Sequence, residues 1–100
     1  MTSFDRREEA LEAKFAHDEE RAFKARARAL RMLGLWAAEK RGETGKVAEE
    51  YAGALSLADI VSPEAAFNKL VSDLAGHGVD ARQIREKRDA LFAIARRAPA

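Results

Sequence analysis

The sequence predicts an all-α protein, a four-helix bundle with a long N-terminal helix whose first part is a mobile or exposed arm. Three observations carry that expectation. Ala, Leu, Glu, Lys and Arg dominate the 100 residues, against only 6 Gly and 2 Pro, a composition that favours long helices. Apolar residues recur at helical spacing in successive segments, and no segment alternates convincingly with the period of a strand. Gly, Pro and Ser fall between those segments, where turns are needed. A chain of this length corresponds to one domain and can bury a core of modest size.

The first helix should run from about Ser3 to Lys40, where "RGETG" at 41–45 breaks it. Its character changes along the way. Up to Glu20 the large apolar residues are Phe4, Leu11 and Phe15 alone, spaced i, i+7 and i+11. From Phe23 the stripe thickens: Phe23, Ala27, Leu30, Leu33, Gly34 and Ala37 share a face, widened by Met32, Leu35 and Trp36. A core-facing helix needs about three apolar positions per two turns. Only the second half meets this. Trp36, among Leu33, Leu35 and Ala37, reads as a core residue.

A second helix is expected over roughly 45–58, with Val47, Tyr51, Leu55 and Ala58 as its stripe. "LSLADIV" at 55–61 reads as its end plus a connector. The third starts at Ser62-Pro63-Glu64, since Ser caps helix N-termini, Pro fits the first turn and Glu complements the dipole. Its inner face is Ala66, Phe67, Leu70, Val71 and Leu74, and "GHG" at 76–78 stops it. The fourth begins at Asp80 with Gln83 as capping-box partner. Ile84, Leu91, Ile94 and Ala95 form its stripe, Phe92 lies beside it, and it ends near Arg97. Short connectors imply that sequential helices pack as neighbours.

Several function classes fall away. The net charge is +1, so no strong field selects nucleic acid or a membrane. There are no cysteines, which excludes disulfides, thiol catalysis and Cys-based zinc. The N-terminus lacks the apolar run of a signal peptide, and "MLGLWAA" at 32–38 is too short to span a bilayer. The expected location is cytoplasmic. "GETGK" at 42–46 fails as a phosphate loop: its glycines are too close, Val47 replaces the magnesium-binding hydroxyl, and no strand precedes it. His17 has no second His at i+4 with which to hold a metal. Arg82, Arg85, Lys87, Arg88, Arg96 and Arg97 make the fourth helix basic. Without interleaved aromatic platforms, this reads as an ordinary charged face. No carboxylate sits in an apolar cluster that would tune a general acid, and no Ser–His motif is present. No catalytic, metal or cofactor residues are expected, and the chain should not be an enzyme.

That leaves "FDRREEALEAKFAHDEE" at 4–20, too polar for a core helix and too regular for a random tail. Glu8 and Glu12 repel mildly at i, i+4, and isolated helices of this length are marginal in water. Two readings stay open from the residues: an exposed start to the first helix, or a segment helical when its thin stripe lies in a partner's groove.

This block, with "LGLWAAEKRGETG" at 33–45 and Tyr51-Ala52 after it, resembles the ζ subunit of alphaproteobacterial F-type ATP synthases. The resemblance spans nearly the whole chain. It implies a small four-helix protein, peripheral to the inner membrane through ATP synthase. An N-terminal arm would enter a catalytic α/β interface of the F1 sector near the γ subunit and block ATP hydrolysis more than synthesis, in parallel with the mitochondrial inhibitor protein. Carried over, residues 1–20 are the arm, with the inhibitory part at about Thr2–Glu19, and 21–98 are a globular anchor. Phe4, Leu11 and Phe15 are then apolar anchors. Asp5, Arg7, Lys14, Asp18 and Glu19 set register, and Glu8 and His17 complete the partner-binding set. Some members are thought to bind adenine nucleotides, so an alternative is a module that binds ADP or ATP weakly, or an adaptor, with little inhibitory activity. The chain departs from the family pattern at Arg6, where an acidic residue is common, at "LADIVSPEA" (57–65), which lacks an acidic run, and at "ARARALRML" before Gly34.

Overall fold

The computed structural model describes the backbone of residues 3–97 and the side chains of that span other than those of residues 3–9 and Phe15. It holds four helices: α1 (Ser3–Lys40), α2 (Gly45–Val61), α3 (Pro63–Leu74) and α4 (Ala81–Arg97). The described residues contain no strand. α1 is the spine. Its 38 residues rise about 1.5 Å each, which accounts for most of the molecule's 63 Å length. α2 returns antiparallel along one side of α1, α4 runs antiparallel along the other, and α3 packs chiefly on α2. Contact between α3 and α4 is sparse, so not every sequential pair is a close neighbour.

Helix boundaries follow local chemistry. α1 ends in a Schellman motif: the Glu43 N–H donates to Ala38 O (2.9 Å) and the Gly42 N–H to Glu39 O (3.0 Å). Gly42 takes the left-handed φ of +78° that this turn requires. The "GETGK" stretch is thus a helix–helix turn. A single residue, Ser62, separates α2 from α3. Its N–H donates to Ala58 O (3.1 Å), closing α2, while its Oγ accepts from the Ala65 N–H (2.9 Å), opening α3. Ser62→Ala is therefore expected to cost about 1 kcal/mol, readable as a lowered midpoint in urea unfolding. At α4 the capping box forms both ways: Asp80 N–H donates to Gln83 Oε1, and Gln83 N–H to Asp80 Oδ1, each at 2.9 Å.

The core is built from Leu30, Leu33, Leu55, Leu70, Leu74, Ile84 and Leu91, with Ala37, Ala38, Ala48, Tyr51 and Ala66 between them. Trp36 is half-buried against this cluster, with Lys40 and Lys87 over its ring. Four expectations differ, one about length and three about facing. α2 continues three residues beyond 58, to Val61. Its inner face is Ala48, Tyr51, Ala52 and Leu55, and Val47 is exposed. The small residues Gly34 and Ala52 let α1 and α2 approach closely, and that contact turns Ala48 inward in place of Val47. On α1, Phe23 and Ala27 are exposed, because α2 and α4 cover the face centred on Ala25, Ala29 and Leu33 instead. On α4, Ala95 is the residue that packs on Ala25 and Ala29, which leaves Ile94 half-exposed.

A polar network closes the end of the bundle distal to the arm. The Tyr51 hydroxyl donates to Asp73 Oδ2 (2.8 Å), Lys69 Nζ reaches the same oxygen (3.0 Å), and Arg41 stacks over the Tyr51 ring. Burial, then the Asp73 carboxylate, push the Tyr51 phenol far above its ordinary value of 10.0. Burial pushes Asp73 up, but the hydrogen bonds from Tyr51 and Lys69 outweigh it and hold the carboxyl below its ordinary value of 3.8. Each shift gives a signed pH dependence. Above pH 10 the unfolded phenol loses its proton while the folded one keeps it, so stability falls as pH rises. Below the ordinary carboxylate range the unfolded Asp73 gains a proton first, so stability falls as pH drops. Tyr51→Phe is expected to flatten the alkaline loss and to cost about 1–2 kcal/mol at pH 7, measured by urea unfolding across pH.

Candidate partner-binding site

The N-terminal half of α1 stands apart from the body. Every described side chain from Ala10 to Lys24 is exposed, and burial begins at Ala25. The reason lies in where the other helices end. The C-terminus of α4 reaches α1 near Ala25, where Arg28 donates to Ala95 O (3.2 Å). α2 ends beside Arg26. Neither helix extends further along α1.

The register of this uncovered half carries the information. Leu11 stands five full turns before Ala29, and position 15 five full turns before Leu33, at 3.6 residues per turn. Both Ala29 and Leu33 are fully buried. The thin apolar stripe is therefore the outward continuation of the face that α2 and α4 cover further along. Leu11, on that face, is 62% exposed.

The described polar members of the expected set are also in the open. Lys14, His17, Asp18 and Glu19 are exposed. Asp18 borders a shallow cleft at the end of α4 with Arg21, Arg28 and Arg96. Glu20 pairs with Lys24 across one turn (3.0 Å), and that hydrogen bond lowers the Glu20 pKa. The side chains of Phe4, Asp5, Arg7, Glu8 and Phe15 lie outside the described residues. Leu11, Lys14 and Asp18 share one helix side with positions 4, 7 and 15, whereas Glu19 and His17 fall to its flanks.

The root of the arm is braced by residues whose pairing the sequence did not indicate. Arg26 makes a two-pronged ion pair with Asp59, Nε to Oδ2 at 2.8 Å, and its guanidinium lies 5.2 Å from the centre of the Phe92 ring. One side chain thereby joins α1, α2 and α4. The partners are 33 residues apart, so no local spacing rule connects them. The useful signal was the length of α2, because Asp59 sits in the stretch read as a connector.

The basic surface of α4 is largely occupied internally. Arg82 pairs with Glu86 (3.0 Å), Arg88 contacts Asp89 (3.3 Å), and Arg97 donates to Ala93 O (3.2 Å). Arg85 and Arg88 lie over the Phe67 ring. The cleft between α1, α3 and α4 sets Arg26 and Arg88 against Asp59 and Asp89, so its charges balance and it offers no strong field for phosphates. Among the described residues no three His, Cys, Asp or Glu side chains gather as metal ligands, and no helix is long and apolar enough to cross a membrane.

Comparison with curated proteins and with solved structures finds no match to this chain. A family model, described as ATPase inhibitor subunit zeta, matches residues 1–98. Its span covers both the exposed arm and the body that braces it, and the chain belongs to the ATPase inhibitor subunit zeta family.

Proposed function

We propose that this chain inhibits ATP hydrolysis by the F1 sector of ATP synthase, with residues 1–20 as an arm that enters a catalytic α/β interface beside the γ subunit. Membership of an inhibitor-subunit family gives the coarse role, regulatory rather than catalytic. The observation that carries the finer reading is Leu11, exposed on the very face of α1 that is core elsewhere. Such a stripe is suited to a groove that another protein supplies. Phe4, Leu11 and Phe15 act as apolar anchors. Asp5, Arg7, Glu8, Lys14, His17, Asp18 and Glu19 fix register through charged and polar contacts. A helix wedged in a catalytic interface keeps the site from closing, so the conformational cycle stops without any chemistry by the inhibitor. Residues 21–98 hold the arm as one rigid helix and anchor it. The protein then acts in the cytoplasm, peripheral to the inner membrane through its partner.

The engagement of the α4 cations by Glu86, Asp89, Phe67 and backbone carbonyls favours this reading over one in which the chain chiefly binds ADP or ATP. The test is steady-state hydrolysis by the cognate F1-ATPase, with the full chain and with a chain lacking residues 1–19. Full-length protein is expected to inhibit and the shortened one to be inactive at the same concentration. Equal inhibition by both, or by neither, overturns the proposal.

A further inference from the structure

Where the arm leaves the body, α2 presents an outer face with no partner. Leu57, Ile60 and Val61 follow one another at helical spacing on it, and Phe23 of α1 stands across a shallow groove from Ile60. These four side chains are between 67% and 81% exposed. Gly53 and Ala54 extend the same face without charge. Two ion pairs border it, Arg26 with Asp59 and Lys24 with Glu20, and Glu19 stands one turn before Phe23. Large exposed apolar residues gathered at one place mark an interaction surface more often than they arise by chance.

We infer that this shoulder is a second docking surface for the same partner that receives the arm, one that seats an apolar surface of that partner and sets how deep the arm goes. The inference rests on the arm reading above. Two observations choose this occupant. First, the patch lies at the root of the arm, beside the Arg26–Asp59 pair. α1 is unbroken from Ser3 to Lys40, and Phe23 lies only about 18 Å along the helix axis from Leu11 at 1.5 Å per residue. Phe23 also lies about 120° around the helix from Leu11, so a partner that encloses the arm on more than one side reaches the shoulder next. Second, the patch is too small to hold a second copy of the chain. Four large side chains compare with roughly 20–30 residues a side in a stable interface. As an addition to the arm they are sufficient, since a few central apolar anchors dominate interface energy. The four exposed apolar side chains of the patch select an apolar surface over an acidic or basic one.

The test uses full-length chain carrying Leu57→Lys with Ile60→Lys, substitutions at exposed positions near a helix C-terminus, where cations are favourable. Phe23→Gln is a second, independent variant. An unchanged thermal melt is the folding control. The expected result is a rise of about tenfold or more in the concentration for half-inhibition of cognate F1-ATPase, with complete inhibition still reached at saturation. Unaltered potency in both variants overturns the shoulder. So does a wild-type dimer in sedimentation that the lysine variant dissolves, which would assign the patch to a second copy. Failure of the arm reading looks different: the chain lacking residues 1–19 would then inhibit as well as the full chain.

Discussion

Leu11→Ala is expected to raise the concentration for half-inhibition of F1-ATPase by about 30-fold while leaving the folding midpoint where it is. Transfer of a leucine side chain from water to an apolar site is worth about 2 kcal/mol, and each 1.4 kcal/mol is a factor of about ten in affinity. In the free chain that gain is unrealised, because Leu11 is 62% exposed and makes no core contact. Removing it should therefore alter stability by less than about 0.5 kcal/mol. Leu33→Ala makes the contrast. It lies on the same face of the same helix but is 1% exposed, and truncation there should cost about 2–5 kcal/mol of folding stability. Dose–response curves for inhibition, paired with thermal melts of both variants, separate the two roles. A Leu11→Ala chain with wild-type potency would remove Leu11 from the binding stripe.

The second large effect is expected at Gly34. A Cβ placed there would lie 2.6 Å from the Cα of Ala52 and 2.9 Å from its Cβ. The nearer contact is to backbone, which no rotamer change can move, so α1 and α2 must separate. Overpacking of this kind costs about 1–3 kcal/mol, and alanine recovers up to about 1 kcal/mol through helix propensity. The contact is severe enough to place Gly34→Ala near the upper end, with a net loss of about 2 kcal/mol and a melting temperature lower by roughly 10 °C. Gly53→Ala is the control in the facing helix. Nothing lies within 4 Å of its Cβ position, so that change should stabilise by about 0.5–1 kcal/mol. A Gly34→Ala chain that melts no lower than wild type would show that the interhelical approach tolerates a methyl group.

The two glycines illustrate why part of this protein is legible in its sequence. Helix ends are written locally. Ser62-Pro63-Glu64, the Asp80–Gln83 pair and the glycine at 42 each act on backbone groups within a turn or two, and each sits at the boundary it implied. Facing is written less clearly. A helix with apolar residues spread over more than half its circumference has several possible inner faces, and its neighbours choose among them. Val47 gave way to Ala48 where small residues let α1 and α2 approach closely, and Phe23 and Ala27 gave way to Ala25 and Ala29 because α2 and α4 cover that face. The sequence could not rank these choices, since the ranking depends on which helix arrives on which side.

The same division holds for the candidate site. By itself the sequence determined the four helices, most of their limits, the absence of thiol chemistry and the contrast between a sparse first half of α1 and a rich second half. Those follow from composition, period and capping, which act within one element. Only the tertiary structure decided that α2 and α4 stop near Ala25, that the stripe through Leu11 prolongs the buried face, that Arg26 and Asp59 brace the root, and that Phe23 joins Leu57, Ile60 and Val61 in one exposed shoulder. These depend on the distance between elements remote in sequence. Whether an apolar residue is core or contact is settled by what covers it, and cover is a property of the packed chain.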